Sequence, residues 1–260
     1  MDIGNALRKL KIRTWSMPLL SLALGIVTSF GQEKSVSHAN QQWVQYYTQT
    51  RLTDQWTLLG DASYRWKDGF DTRTQYLLRI GITYKTIQNL QLGTGIAHLG
   101  NYGPDGLERV EFRPYQDLGL KNEFVHWALS QRIRIEERFF NPVEEGKIKS
   151  PNGFNFRFRY AITASIPLFH LSAQHPERTF LLYLGDEIFL NAGNEIVTNV
   201  FDQNRILISP TLQWNKKLAF ALTWSYQDAS GAEAGTFVHT DVFWLQIRQQ
   251  LDARPKATVP

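Results

Sequence analysis

From Gln42 to Leu251, apolar and polar residues alternate with a period of two, in runs of eight to sixteen separated by clusters of Gly, Asp, Asn and Pro. That period puts successive side chains on opposite faces of an extended strand, so the region reads as all-β without an amphipathic helix. In one run, Trp56, Leu58, Ala62, Tyr64 and Trp66 oppose Thr57, Asp61, Ser63 and Arg65; in another, Phe154, Phe156, Phe158, Tyr160 and Ile162 oppose Asn155, Arg157, Arg159 and Thr163. One face is large and apolar, and the other is charged or small.

Alternation of this kind describes either a soluble sandwich or barrel, with its apolar face inside, or a transmembrane barrel with that face outside. Three features favour the membrane. Runs of ten or more residues exceed the ~5–6 of soluble sheets and suit the ~9–11 that cross a bilayer at a tilt. Aromatics stand where the apolar face begins or ends, at Trp56, Trp66, Tyr84, Trp127, Phe139, Trp214, Trp224 and Tyr226, as an interfacial girdle requires. Connections alternate between short, near Thr53, Asn89, Asn122 and Lys216, and long, at 67–72, 101–106, 141–153 and 228–238; the link 169–178 breaks the rhythm.

Eleven strand-like runs are readable: 42–51, 56–66, 73–86, 90–100, 107–120, 124–139, 154–168, 179–191, 202–215, 218–227 and 239–251. Bacterial single-chain barrels have even strand numbers, so the expectation is a single antiparallel up-and-down transmembrane barrel of ten or twelve strands. A strand hidden in 32–41 would make twelve, although that segment otherwise reads as a flexible lead-in. Residues 252–260 form a C-terminal tail.

Ahead of the barrel, Arg8, Lys9, Lys11 and Arg13 precede an apolar stretch from Trp15 to Phe30, which ends at Ser29-Phe30-Gly31. This is the pattern of a cleavable signal peptide over residues 1–31, and it implies export. The whole chain carries +4 with a pI near 9.2. Without the leader, 24 basic residues face 23 acidic ones over 229 residues, which removes the electrostatic motive for a nucleic-acid partner. The chain has no cysteine.

By parity, Arg65, Arg79, Glu111, Arg113, Arg132, Arg134, Glu136, Arg138, Arg157, Arg159, Glu187, Arg205 and Arg248 share the polar, lumen-facing side. Residues 132, 134, 136 and 138 lie on one strand face, and charges so placed cannot enter lipid without a penalty of about 2–4 kcal/mol each at mid-membrane. They form either a packed Arg–carboxylate lattice that fills the barrel or an Arg-rich filter that passes small anionic solutes.

Glu111-Phe112-Arg113, Arg132-Ile-Arg134-Ile-Glu136-Glu-Arg138, Arg157-Phe-Arg159, Glu187 and Phe201-Asp-Gln-Asn-Arg205 occur in an order that resembles the bacterial outer-membrane β-barrels of domain-of-unknown-function family 2490. The resemblance runs from about Trp43 to Leu251. It implies a cell outer-membrane barrel and no assigned activity. Phe112 stands where that family tends to carry His, and Ala253 to Pro260 replace the aromatic-terminated last strand common to such barrels.

An enzyme reading rests on His170 and Ser172, with Glu177 or Glu187 as the orienting acid of a lipid hydrolase. His98, His126 and His239 are scattered, without metal-ligand spacing. The segments 68–71, 104–106 and 191–195 read as turns rather than calcium loops, and Gly93, Gly95 and Gly100 precede no helix that would make a phosphate loop. The expectation is an outer-membrane barrel of structural or small-pore type, with no catalytic residue, metal or cofactor. Its partners are outer-membrane lipid and, during biogenesis, the barrel-assembly machinery. The alternatives are an outer-membrane lipid hydrolase and a secreted soluble ligand-binding barrel.

Overall fold

The computed structural model describes residues 35–87, 89–194, 196, 200–231 and 233–255; the expected signal peptide lies outside them. Eleven long strands form one closed barrel. They are β1 Ser35–Arg51, β2 Trp56–Lys67, β3 Thr72–Lys85, β4 Leu90–Gly103, β5 Gly106–Glu123, β6 Ala128–Glu144, β8 Gly153–His170, β9 Thr179–Ala192, β10 Phe201–Gln213, β11 Leu218–Ser230 and β12 Thr236–Asp252. The two-residue β7, Lys147–Ile148, folds back on the end of β6 outside the wall.

Every sequential pair of long strands is antiparallel, but β1 and β12 close the barrel as a parallel pair, in register from Ser35↔Thr236 to Arg51↔Asp252. An up-and-down meander with an odd number of strands must close this way, because its first and last strands run in the same direction. The expected even count is therefore wrong, and so is the expectation of a purely antiparallel sheet. Among the described residues of the lead-in there is no separate strand: Ser35–Gln41, read as a flexible segment, is the continuous start of β1, hydrogen-bonded beside β12.

Connections 52–55, 86–89, 124–127, 171–178 and 214–217 gather at one rim, called lower here, and 68–71, 104–105, 145–152, 193–200 and 231–235 at the upper one. The alternation of short and long connections does not hold. Residues 101–103, 141–144, 228–230 and 236–238, expected in the long connections, are strand. At the lower rim, Thr53 Oγ1 accepts from the backbone N–H of Trp56 (2.9 Å), and Asn215 Oδ1 accepts from those of Lys217 (2.8 Å) and Leu218 (3.0 Å). These are side-chain caps of tight turns. The upper turn at 68–70 has three successive positive φ angles, those of Asp68, Gly69 and Phe70.

The expected tail begins inside the wall. Asp252 ends β12, the Ala253 N–H bonds the Arg51 carbonyl (2.9 Å), and the Arg254 guanidinium bridges Asp252 and Asp54 (2.6 Å each). Bonds from the Arg254 side chain and backbone hold the Asp252 carboxyl at about 2. This depressed value keeps the clasp charged down to acidic pH and releases it as pH falls through that value.

The apolar face lies outside, which removes the soluble barrel with an apolar interior. Leu78, Ile80, Leu222 and Phe243 are each more than half exposed. The buried apolar cluster of Leu77, Ala97 and Leu99 is small and sits on the inner wall of β3 and β4. Elsewhere the buried interior is mostly polar and charged, with apolar side chains such as Val110, Phe189, Ala221 and Val242 set among the polar ones.

Candidate functional site: the charged lumen

Inward-facing positions of β5, β6, β8, β9 and β10 supply most of the charge. Glu187 on β9 accepts from Arg132 (2.6 Å) and Arg159 (2.7 Å), with Arg205 at 3.9 Å. Arg159 continues to Glu136 (2.6 Å), which also takes Arg157 (2.5 Å), and Arg157 reaches Asp202 (3.1 Å). These contacts make an unbroken chain, Arg132–Glu187–Arg159–Glu136–Arg157–Asp202. Nearer the upper rim, Glu111 gathers Arg113, Arg138 (3.1 Å) and Arg109 (3.4 Å). Towards the lower rim, Asp117 takes Arg134 through two parallel bonds of 2.6 Å, and on the facing wall Asp61 accepts from Arg79 Nε (2.7 Å). Two-pronged pairing is the strong form of this contact, because the planar guanidinium matches the carboxylate.

Burial decides what the lattice does. Glu111, Glu136 and Glu187 are 1%, 3% and 6% exposed, so these carboxylates meet guanidinia rather than bulk solvent. Each of these carboxylates serves several guanidinia, which offsets the cost of removing them from water.

Three inward aromatics support the cations. Phe189 lies beneath Arg157 (5.3 Å), Arg159 (4.5 Å) and Arg205 (4.8 Å); Tyr115 beneath Arg134 (4.0 Å); and Trp43 beneath Arg65 (3.8 Å). Cation–π contact in a desolvated site adds to pairing. Arg65 makes no ion pair among the described residues and rests on Trp43 alone. Gly81 and Gly95 face each other across β3 and β4, and a Cβ at either would strike the Tyr115 ring. The glycines of β4 that carry no phosphate loop thus include one that makes room for an aromatic side chain.

All thirteen charged residues expected on the lumen side, Arg248 included, point inward. Sequence reasoning put Asp61 on the polar face and Asp202 in the Phe201–Arg205 stretch but named neither, nor Asp117, as a lattice partner, and it passed over the inward aromatics Trp43, Tyr115 and Phe189. Parity would have found them, since Asp61 alternates with Gly60 and Ala62, and Phe189 lies two residues after Glu187.

Below the lattice the lumen opens. A cavity of about 430 Å³ reaches from Arg134 and Tyr115 down to Arg248 and Gln249, and continues into a vestibule of about 1120 Å³ at the lower rim.

On the outer face, aromatics form two belts. Trp56 packs on Tyr84 (4.7 Å), Phe124 on Trp127 (4.4 Å) and Phe169 on Phe180 (5.3 Å) near the lower rim, where Trp214 also lies exposed. Tyr64, Trp66, Tyr76, Tyr102, Phe139 and Phe154 make the upper one, with Trp224 and Tyr226 on β11. Trp127 belongs to a connection rather than a strand.

The hydrolase constellation is not assembled. His170 Nδ1 bonds Thr179 Oγ1 (3.0 Å), Ser172 Oγ accepts from the His175 N–H (3.2 Å), Glu177 lies beside His175 (3.3 Å), and Glu187 is deep in the lattice. His126, expected on the face of Arg132, sits in the connection 124–127. His98 stacks on Tyr76 (5.7 Å), and His239 lies against Asp228 (3.4 Å) and His38 (5.4 Å). No group of three metal-ligating side chains occurs among the described residues.

No curated protein and no solved structure matches the chain. The family model described as a protein of unknown function, DUF2490, matches residues 40–236, from within β1 to the first residue of β12. That span holds every member of the Arg–carboxylate lattice, and the chain belongs to the DUF2490 family.

Proposed function

We propose that the protein is an outer-membrane β-barrel of structural type, whose lumen is closed by its Arg–carboxylate lattice rather than held open as an anion filter. The burial of Glu111, Glu136 and Glu187 among Arg113, Arg138, Arg157, Arg159 and Arg205 carries this reading. Charges so paired present no unshielded ring of one sign, which an anion-selective pore needs, and their packing favours a filled lumen.

The membrane part rests on the outer face. Ten residue steps separate Trp56 from Trp66 on β2. At ~3.3 Å per residue and a tilt of about 45°, they span roughly 23 Å, close to the ~25 Å apolar band of outer-membrane barrels. Between the belts stand aliphatic side chains such as Leu58, Leu78, Ile80, Ile133 and Leu222, all exposed. An apolar patch of this extent needs a lipid or protein cover. Export through the leader at 1–31 fits the same destination.

Planar-bilayer recording tests the closed lumen. The wild-type chain inserts without unitary current steps, and Arg157→Ala combined with Arg159→Ala, which removes the centre of the lattice, admits them. Steady single-channel steps in the wild type would refute closure.

A further inference from the structure

Every arginine lining the cavity beneath the lattice has a carboxylate partner except one. Arg79 has Asp61, Arg134 has Asp117 and Arg132 has Glu187. Arg248, on β12, makes no ion pair among the described residues. Its Nε and one terminal nitrogen both donate to the side-chain oxygen of Gln246 (2.9 Å from Nε), and Tyr183 lies 5.1 Å from the guanidinium carbon. The other terminal nitrogen has no hydrogen-bond partner among the described residues, and the residue borders the open space.

A cation inside a low-dielectric wall attracts a counter-charge, and here no side chain supplies it. The surroundings limit what can. Gln45, Gln213 and Gln246 offer amides able to donate to or accept from hydroxyls, while Tyr47, Tyr183 and Trp244 offer flat apolar faces. A guanidinium edge suits a carboxylate, the amides suit hydroxyls, and the rings suit the C–H face of a saturated ring. The cavity of about 430 Å³ is within the range of small-molecule sites and is reached through the lower vestibule.

We propose that this cavity is a binding site for a small hydroxylated carboxylate of the sugar-acid class, with Arg248 taking the carboxylate. The site lies below the lattice and stands whether or not the lattice passes ions.

The test is calorimetric titration of the detergent-folded full chain with glucuronate and, separately, with glucose. Glucuronate binds saturably, glucose binds at least about tenfold more weakly, and R248Q reduces glucuronate affinity by at least about tenfold, as loss of a charge-assisted contact requires. R254Q, outside the cavity, leaves binding unchanged. Should R248Q fail to fold, R248K keeps the charge but gives up the planar guanidinium edge, and still weakens binding several-fold. Absence of saturable glucuronate binding in the wild type, equal affinity for glucose, or wild-type affinity in a folded Arg248 variant each overturns the proposal.

Discussion

Glu136 shows why single residues in this barrel are costly to change. Its carboxylate meets Arg157 and Arg159 at once, with Arg134 at 4.0 Å. Glu136→Gln leaves buried guanidinia uncompensated, a loss of about 3–5 kcal/mol that urea unfolding of the folded barrel in lipid vesicles would measure. Gly95 is sensitive for a steric reason. A methyl there meets both the Tyr115 ring and the Ile80 carbonyl oxygen, so Gly95→Ala lowers stability by about 1–3 kcal/mol in the same assay. Near-wild-type stability would mean that the ring can leave the β3–β4 wall. Parity placed the arginines of the lattice correctly, because a strand has only two faces. It did not reveal which carboxylate each arginine meets, since Arg157 on β8 and Asp202 on β10 come together across the lumen and not along a strand.

At the scale of strands, each of the eleven runs read from alternation falls on one of the eleven long strands, with ends displaced by up to seven residues, the most at the start of β1. Only their number was argued away, by a rule about other barrels. Alternation is local and reports each strand directly, whereas closure depends on how the first and last strands meet. The seam makes a direct prediction. Thr48 and Gln249 are register partners on the outer face of β1 and β12, and the chain has no cysteine of its own. Thr48→Cys with Gln249→Cys oxidises to a disulfide in the folded barrel, because parallel neighbours in register bring their Cα atoms within the range that bond needs. Thr48→Cys with Thr240→Cys does not. Peptide mapping after oxidation distinguishes the two, and a crosslink in the second pair alone would place the strands in another register. The strand ends were less legible than the centres. Asn101, Asn141 and Asp228 look like loop residues, yet they continue strands beyond the outer apolar band.

For the molecule as a whole, the composition says little and the arrangement says much. Charge balance changes once residues 1–31 are set aside, and the lattice depends on arginines and carboxylates brought together by eleven antiparallel and parallel pairings. The odd strand number has a further consequence, for sidedness. Ser35 opens β1 at the upper rim, and Asp252 closes β12 at the lower rim. A barrel with an even number of strands returns its chain to the rim it left. This one delivers the two ends of its wall to opposite faces of any membrane that it spans. Epitope tags placed just before Ser35 and just after Pro255 are therefore expected to differ in intact cells, one open to added protease and the other shielded until the membrane is breached. Equal exposure of both tags would require a different closure.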